Sequence, residues 1–122
     1  MAAQSTILLV DDDADIREAI RMTLEDEGYD VVEMGSGSEA LEWLRLHPLP
    51  AVMLLDWNMA PMNGADVIAE LARDARLADL PVVVVTADIT AAQKLKGARH
   101  VDWLRKPFRL EELFETLRRH CA

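Results

Sequence analysis

The chain has 122 residues, a net charge of −9 and 51% hydrophobic residues. That length is typical of one domain with a sizeable core, and the composition indicates a globular protein rather than a disordered one. No apolar run approaches the roughly 20 residues that cross a bilayer, and the N-terminus lacks a signal peptide. We therefore expect a cytoplasmic protein without a membrane partner. The negative charge argues against direct binding of nucleic acid, and a single cysteine excludes a disulfide framework.

The charge is unevenly distributed along the chain. Residues 1–93 carry 18 acidic and 5 basic side chains, a net charge of −13, whereas residues 94–122 carry 4 acidic and 8 basic ones, a net charge of +4. Two explanations remain open for the basic stretch. It forms a face for an acidic partner or a second copy of the chain, or its charges are solvated side chains of helices.

Short apolar runs alternate with helical patterns, as in a parallel sheet with helices on both faces. Strands are predicted near 6–10, 30–34, 51–55, 82–86 and 101–104. The runs near 7–10, 51–55 and 82–85 are almost wholly apolar, which indicates central strands buried on both sides, whereas 30–34 is mixed and suits an edge.

Helical patterns lie between these strands. They cover about 14–27, a segment that opens at Ser36 and stops before Pro48, a segment that follows Gly64 and ends before Pro81, a short segment around 89–97, and about 110–120. Gly28 is placed to end the first helix, and Ser36 with Glu39 forms a candidate capping box for the second. Residues at helical spacing are expected to face the core: Ile16, Ala19, Ile20, Thr23, Leu24, Ala40, Leu41, Leu44, Val67, Ile68, Leu71, Leu110, Leu113, Phe114 and Leu117.

The pattern predicts one α/β domain over residues 1–122 with a doubly wound, five-stranded parallel sheet. The functional crevice of such sheets lies beyond the carboxyl ends of the strands. Charged and polar residues stand at those ends, namely Asp11–Asp13, Asp56, Thr86 and Lys106. A carboxylate at the end of a buried strand is costly unless it is paired, binds a cation or is used in chemistry. The sequence therefore predicts a pocket at this edge that holds a divalent cation and an anion together.

Five motifs occur in a recognisable order. They are Val10-Asp11-Asp12-Asp13, Leu55-Asp56-Trp57-Asn58-Met59, Gly64, Val85-Thr86-Ala87 and Lys106-Pro107-Phe108. In this respect the whole chain resembles the receiver domain of bacterial two-component response regulators, and Asp56-Trp57-Asn58-Met59 is especially similar to the receivers of chemotaxis. The resemblance implies a flavodoxin-like (βα)5 fold with strand order 2-1-3-4-5.

The resemblance also implies a role for each matching residue. Asp56 would accept a phosphoryl group as an acyl phosphate, Lys106 would pair with a phosphoryl oxygen, and Thr86 would donate a hydrogen bond to another. Mg²⁺ (or Mn²⁺) would bind Asp12, Asp56 and the backbone carbonyl of Asn58, with Asp11 holding a coordinated water. The phosphoryl group would come from a sensor histidine kinase, a histidine phosphotransfer protein or a small donor such as acetyl phosphate.

Elementary chemistry agrees with these implied roles. Phosphoryl transfer depends on positioning and on neutralising charge, and a carboxylate nucleophile needs a cation between it and the phosphoryl group. Mg²⁺ prefers hard oxygen ligands and keeps several waters, so two carboxylates and a carbonyl are sufficient.

In the family, phosphorylation remodels the surface of the fourth helix, fifth strand and fifth helix, where a downstream protein or a second copy binds. Ala87 follows the threonine in the switch segment, and Trp103 stands where the family usually has Tyr or Phe. Because an indole is bulkier, we expect the switch to act through backbone shifts around residues 87–100 more than through inward rotation of Trp103. Asn58 and Asp88 are predicted to orient a water and so to shorten the life of the acyl phosphate.

Other functions fit these residues less well. As an alternative to a cation site, the acidic triplet could serve only to cap the N-terminus of a helix, a role that we predict for Asp13. A Mg²⁺-dependent phosphatase would need a second acid where Asn58 stands, together with a cap region. A flavin site would need a phosphate-cradling loop in place of Asp11–Asp13. A degenerate receiver that only binds partners is the main alternative. The Met1 start and the end just after the last helix favour a stand-alone domain.

Overall fold

A computed structural model of the protein describes residues 5–88 and 100–121. Five parallel strands form one sheet in the order β2-β1-β3-β4-β5, which confirms the predicted fold class. The strands are β1 (Thr6–Val10), β2 (Asp30–Met34), β3 (Val52–Asp56), β4 (Val82–Thr86) and β5 (Val101–Arg105). β1, β3 and β4 are central and their apolar residues are buried, as their composition predicts.

Four helices are described: α1 (Ala14–Asp26), α2 (Gly37–Leu46), α3 (Gly64–Arg73) and α4 (Leu110–Arg118). The predicted helix 89–97 lies outside the described residues. Gly28, with a φ of 95°, follows the end of α1 as expected. The Ser36 hydroxyl accepts a hydrogen bond from the Glu39 amide at 3.2 Å, and so caps α2. Within the described part of the chain, no helix is both long enough and apolar enough to cross a membrane.

The third helix is shorter than predicted. It ends at Arg73, well before Pro81, because the Asp74 carboxylate accepts a hydrogen bond from the Arg76 amide at 2.9 Å and favours a turn. Leu77 and Leu80 are nevertheless buried, so this turn covers the sheet in place of further helix.

The sheet separates two hydrophobic clusters. One lies under α2 and α3, and we call this side of the sheet the closed face. Gly37 of α2 packs so closely that an added Cβ would lie 2.6 Å from Val67 of α3. The Arg76 guanidinium also donates hydrogen bonds to the carbonyl oxygens of Leu44 and His47 at the end of α2. The helices on this face are therefore held to each other as well as to the sheet.

The other cluster lies under α1 and α4, and we call this side the open face. Leu24, Leu113 and Leu117 are buried there as predicted. Ile16 and Leu110, also predicted to face the core, are 45% and 52% exposed, and Ala19 is exposed as well. Those three predictions are wrong.

Ile16 is exposed because it borders a cavity of about 460 Å³ on the open face, lined by Ile16, Ile20 and Phe108 above the sheet residues Leu9, Leu54 and Val85. The space between α1, the sheet and the Pro107-Phe108 segment before α4 is therefore not filled. The cavity also reaches Asp11, Asp56 and Lys106, and so runs up to the edge of the sheet where the polar residues gather.

Candidate functional site

Three carboxylates meet at the carboxyl ends of β1 and β3. Asp11 follows β1 and is 4% exposed, Asp56 ends β3 and is 7% exposed, and Asp12 is exposed to solvent. One oxygen from each lies within 4.8 Å of the others. Such a set of hard oxygen donors fits a small divalent cation, since three anions at this separation repel each other without one.

The loop after β1 is held by hydrogen bonds at both ends. The Asp13 amide donates to Asp11 Oδ1 at 2.9 Å, and the Asp13 carboxylate accepts from the amides of Asp15 and Ile16 at the start of α1. Asp13 therefore caps α1, as the sequence predicts. The Arg17 guanidinium donates to the backbone carbonyl of Asp11 at 2.7 Å.

Burial raises the pKa of the Asp11 carboxyl above its ordinary value. The hydrogen bond from the Asp13 amide opposes this shift, the negative charge of Asp56 adds to it, and the Lys106 ammonium opposes it. The dominant cause is desolvation, which disfavours the charged form. A cation bound among these carboxylates would relieve that penalty.

Lys106 supplies a positive charge at the same place. Its Nζ lies 3.2 Å from Asp56 Oδ1, although the two residues are 50 positions apart. Its backbone amide donates to the Thr86 carbonyl at 2.8 Å, which fixes the loop after β5 against the end of β4. The lysine therefore reaches the carboxylate from a backbone anchored to the sheet.

Thr86 ends β4 and is fully buried. Its hydroxyl accepts a hydrogen bond from the Asp88 amide at 3.1 Å. Ala87 and Asp88 follow it at the surface, and Asn58 is exposed in the loop after β3. The structure thus brings Asp11, Asp12, Asp56 and Lys106 together at one end of the sheet. Asn58, Thr86, Ala87 and Asp88 stand at strand ends or in loops of the same edge.

Sequence reasoning missed an aromatic contact beside the site. The ring centroids of Trp57 and Trp103 lie 6.2 Å apart at an interplanar angle of 71°. A Cβ on Gly64 would lie 2.8 Å from the Trp57 ring, so the glycine leaves room for that indole. Trp57 immediately follows Asp56, the last residue of β3, and Trp103 lies in β5. The contact therefore spans β4, the strand between them. An indole at each position was the available signal, but their separation of 46 residues concealed it.

The sequence matches the family model of the response regulator receiver domain over residues 7–118. The chain belongs to the response regulator receiver family. The receiver is 33% identical over 114 residues to the chemotaxis protein CheY1 of Helicobacter pylori, with 91% of this chain and 92% of that protein aligned. It is 38% identical to the response regulator MprA of Mycobacterium leprae, but there the match spans 49% of the longer protein.

The same fold occurs in a solved response regulator receiver protein from Pseudomonas putida. The two structures superpose with a TM-score of 0.87 at 32% identity, over 98% of this chain and 99% of the other. The receiver is therefore similar both to proteins of its own size and to one half of a longer regulator.

Proposed function

We propose that this receiver is a phosphorylation-dependent signalling switch in which Asp56 accepts the phosphoryl group. The observation that carries the proposal is the 3.2 Å contact between Asp56 and Lys106 beside the carboxylates of Asp11 and Asp12. A purely structural carboxylate would be satisfied by Lys106 alone. Two further acids beside it are unfavourable unless a cation joins them.

The residues fit Mg²⁺ or Mn²⁺, with Asp12, Asp56 and the Asn58 carbonyl as protein ligands and Asp11 on a coordinated water. When bound, the ion would neutralise the carboxylates and the incoming phosphoryl oxygens. An Asp56 carboxylate oxygen attacks phosphorus, a new O–P bond forms, and the bond from phosphorus to the donor breaks. For acetyl phosphate the leaving group is acetate; for a phosphohistidine it is the imidazole, which takes up a proton.

Lys106 and Thr86 account for the remaining phosphoryl oxygens. Lys106 would transfer its ion pair from the Asp56 carboxylate to the phosphoryl group, a short movement for a flexible side chain. The Thr86 hydroxyl sits at the end of the neighbouring strand and would donate a hydrogen bond. To do so it gives up its present contact with the Asp88 backbone, so phosphorylation pulls on the segment that follows β4.

A protein donor has a surface to dock on at the mouth of the open face. Ile16 is 45% exposed, Pro107 is exposed, and both line the cavity that reaches Asp56. Exposed apolar side chains around a polar reaction centre are typical of an interaction site. This supports a sensor histidine kinase or a histidine phosphotransfer protein as the donor.

The output surface would include β5, α4 and the segment after Thr86. Trp103 is half-buried against Trp57. Since that indole already contacts the residue beside Asp56, backbone movement is favoured over a large ring rotation as the signal. Residues 89–99 of this surface lie outside the described part of the chain. The readout would be binding of a downstream protein or of a second copy in the cytoplasm.

Asn58 and Asp88 are exposed near the site, two positions after Asp56 and Thr86 respectively. They would orient a water for hydrolysis of the acyl phosphate, which makes the domain a catalyst only of its own phosphorylation and dephosphorylation. Replacing both with apolar residues should lengthen the phosphorylated lifetime, and unchanged decay would reject their role.

The deciding experiment is intact mass spectrometry after incubation with Mg²⁺ and acetyl phosphate. We expect a gain of one phosphoryl group in the wild type and none in Asp56→Asn, which keeps the shape of the side chain. Asp66→Asn, an exposed acid in α3, is the control and should gain the group. No gain in the wild type, together with no binding of Mg²⁺, would overturn the proposal in favour of an interaction-only receiver.

A further inference from the structure

The guanidinium of Arg17 reaches from α1 under the acidic end of the sheet. Its Nη1 donates to the backbone carbonyl of Asp11 at 2.7 Å, and its Nε donates to Glu33 Oε1 of β2 at 3.1 Å. The side chain is 20% exposed, and Gly35 leaves room for it, since a Cβ there would lie 3.3 Å from Nη1. The arginine is therefore held in one orientation by two different elements.

The carbonyl that Arg17 binds belongs to the peptide group joining Asp11 to Asp12. Because a peptide group is planar, fixing the direction of its oxygen also fixes the direction in which the Cα of Asp12 leaves it. The next peptide group, from Asp12 to Asp13, is held by the hydrogen bond from the Asp13 amide to Asp11 Oδ1 at 2.9 Å. Asp12 thus lies between two fixed planes.

The Asp12 side chain has no comparable support of its own. It is exposed, and among residues 5–88 and 100–121 no side-chain hydrogen bond or ion pair holds its carboxylate. Its position beside Asp11 and Asp56 is consequently set by the backbone alone. This contrasts with Asp56, which ends a buried strand and is paired with Lys106.

We propose that Arg17 is a positioning residue for the divalent cation, acting through the Asp11 carbonyl to aim the Asp12 carboxylate into the site. Glu33 in turn orients Arg17. The inference rests on the proposed function, because it takes the three carboxylates as the cation site. It adds a residue of α1 and one of β2 to the machinery of a site otherwise built at strand ends.

A rival explanation is electrostatic. A positive charge near a cation site weakens binding through repulsion, so removal of Arg17 would then strengthen it. The positioning role predicts the opposite sign. Lysine separates the two explanations further, because it keeps the charge but cannot present the two N–H groups of a planar fork to Asp11 and Glu33.

The test is the affinity of the unphosphorylated protein for Mg²⁺, measured by calorimetry. The measurement is repeated with Mn²⁺, whose free concentration is read from its electron paramagnetic resonance signal. Arg17→Gln and Arg17→Lys should both weaken binding by roughly 10-fold, the usual effect of losing a group that orients a metal ligand. Glu33→Gln should weaken it in the same direction by less, because the hydrogen bond to Asp11 remains.

The matched control is Arg21→Gln. Arg21 lies one turn further along α1 and pairs with the same Glu33 at 2.7 Å and with Glu25 at 2.8 Å, without touching the loop after β1. Its loss removes similar ion pairs, so it reports the effect of general destabilisation. Because Glu33 itself remains and keeps its bond to Arg17, the cation affinity of Arg21→Gln should stay closer to that of the wild type than that of either Arg17 variant. At saturating Mg²⁺, phosphorylation of the Arg17 variants by acetyl phosphate should return to the wild-type rate.

Several outcomes would overturn the inference. Tighter binding by Arg17→Gln with unchanged binding by Arg17→Lys would assign Arg17 an electrostatic role. Unchanged affinity in both, or an equal loss in Arg21→Gln, would leave it a structural one. If the wild type itself binds no cation, the proposed function fails and the inference with it, a result distinct from all the others.

Discussion

The two faces of the sheet solve the same packing problem differently. On the closed face, α2 and α3 touch each other closely, and the turn after α3 buries Leu77 and Leu80. On the open face, α1 and the segment before α4 leave a cavity of about 460 Å³, and Ile16 and Leu110 are exposed. Both faces use the same central strands, so the difference lies in the helices.

This difference separates stability from function. Tight packing resists substitution, because even one methylene is felt in a dense interior. An unfilled apolar space contributes less to stability and leaves side chains available to a partner. The open side is the one that reaches Asp56 and Lys106. We expect the closed face to contribute most of the stability of the fold, and the open face to contact the partner in phosphoryl transfer.

The largest expected contrast is between two truncations of helix residues. Leu44→Ala on the closed face, at a fully buried position, should lower the free energy of unfolding by about 3–4 kcal/mol. Ile20→Ala on the open face should cost about 1 kcal/mol, because Ile20 already borders empty space and loses fewer contacts. Urea unfolding measures both, and equal losses would contradict the comparison.

A smaller effect is expected where α2 meets α3. Gly37→Ala should destabilise the protein by about 1–3 kcal/mol, because the new methyl group would press on Val67 and Met62. Ser38→Ala, the next residue of the same helix, is exposed and should change stability by less than about 0.5 kcal/mol. If thermal unfolding shows Gly37→Ala to be the more stable of the two, the two helices do not pack as closely as described.

Filling space should have opposite signs on the two faces. Ile20→Phe places extra volume in the cavity and should stabilise the protein by about 0.5–1 kcal/mol. Leu41→Phe adds similar volume at a position that is 4% exposed on the closed face and should destabilise it by about 1–3 kcal/mol. Chemical denaturation of both variants decides the matter, and a loss of stability in Ile20→Phe would mean that the cavity closes in solution.

The smallest expected effect is the pH dependence of stability that arises from the Asp11 carboxyl. The pKa of Asp11 is raised above its ordinary value of 3.8 in the folded protein, so the folded state holds that proton more strongly than the unfolded chain. The contribution of Asp11 to stability is therefore lost as pH rises from 3.8 through the raised value, and neutral pH carries the full penalty.

Asp11→Asn removes this penalty while its side-chain oxygen still accepts from the Asp13 amide. Without metal, the variant should be more stable than the wild type at neutral pH, and the advantage should shrink in acid. Excess Mg²⁺ should favour the wild type and reverse the order. Thermal unfolding across pH, with and without Mg²⁺, tests this, and an advantage that is constant with pH would exclude the proposed cause.

Most of the fold was predictable because the central strands are continuous apolar runs and the helices carry local start and stop signals. β1, β2 and β4 occupy the predicted residues, while β3 is displaced by one and includes Asp56. The end of α3 was missed because the side-chain hydrogen bond of Asp74 competes with the helix only in the folded turn. The exposure of Ile16 and Leu110 was missed because periodicity shows where a stripe points and not what lies opposite it.

The candidate site likewise has a part that the sequence predicts and a part that it does not. The grouping of Asp11, Asp12, Asp56 and Lys106 is predictable because each stands at or just after a strand end, and topology brings strand ends to one edge. The support of the site was not found. Arg17 binds a backbone carbonyl, which leaves no signature in the sequence, and its partner Glu33 lies on another strand. The contact of Trp57 with Trp103 likewise depends on the registry of β3, β4 and β5.

The pair formed by Trp57 and Trp103 has a spectroscopic consequence. Two indoles whose centroids are 6.2 Å apart and whose planes cross at 71° are close enough, and skewed enough, for their electronic transitions to couple. Coupled chromophores produce a circular-dichroism couplet of opposite-signed bands, whose intensity depends steeply on distance and angle. The protein thus carries an intrinsic optical gauge between the strand that ends in Asp56 and β5, one that needs no added label.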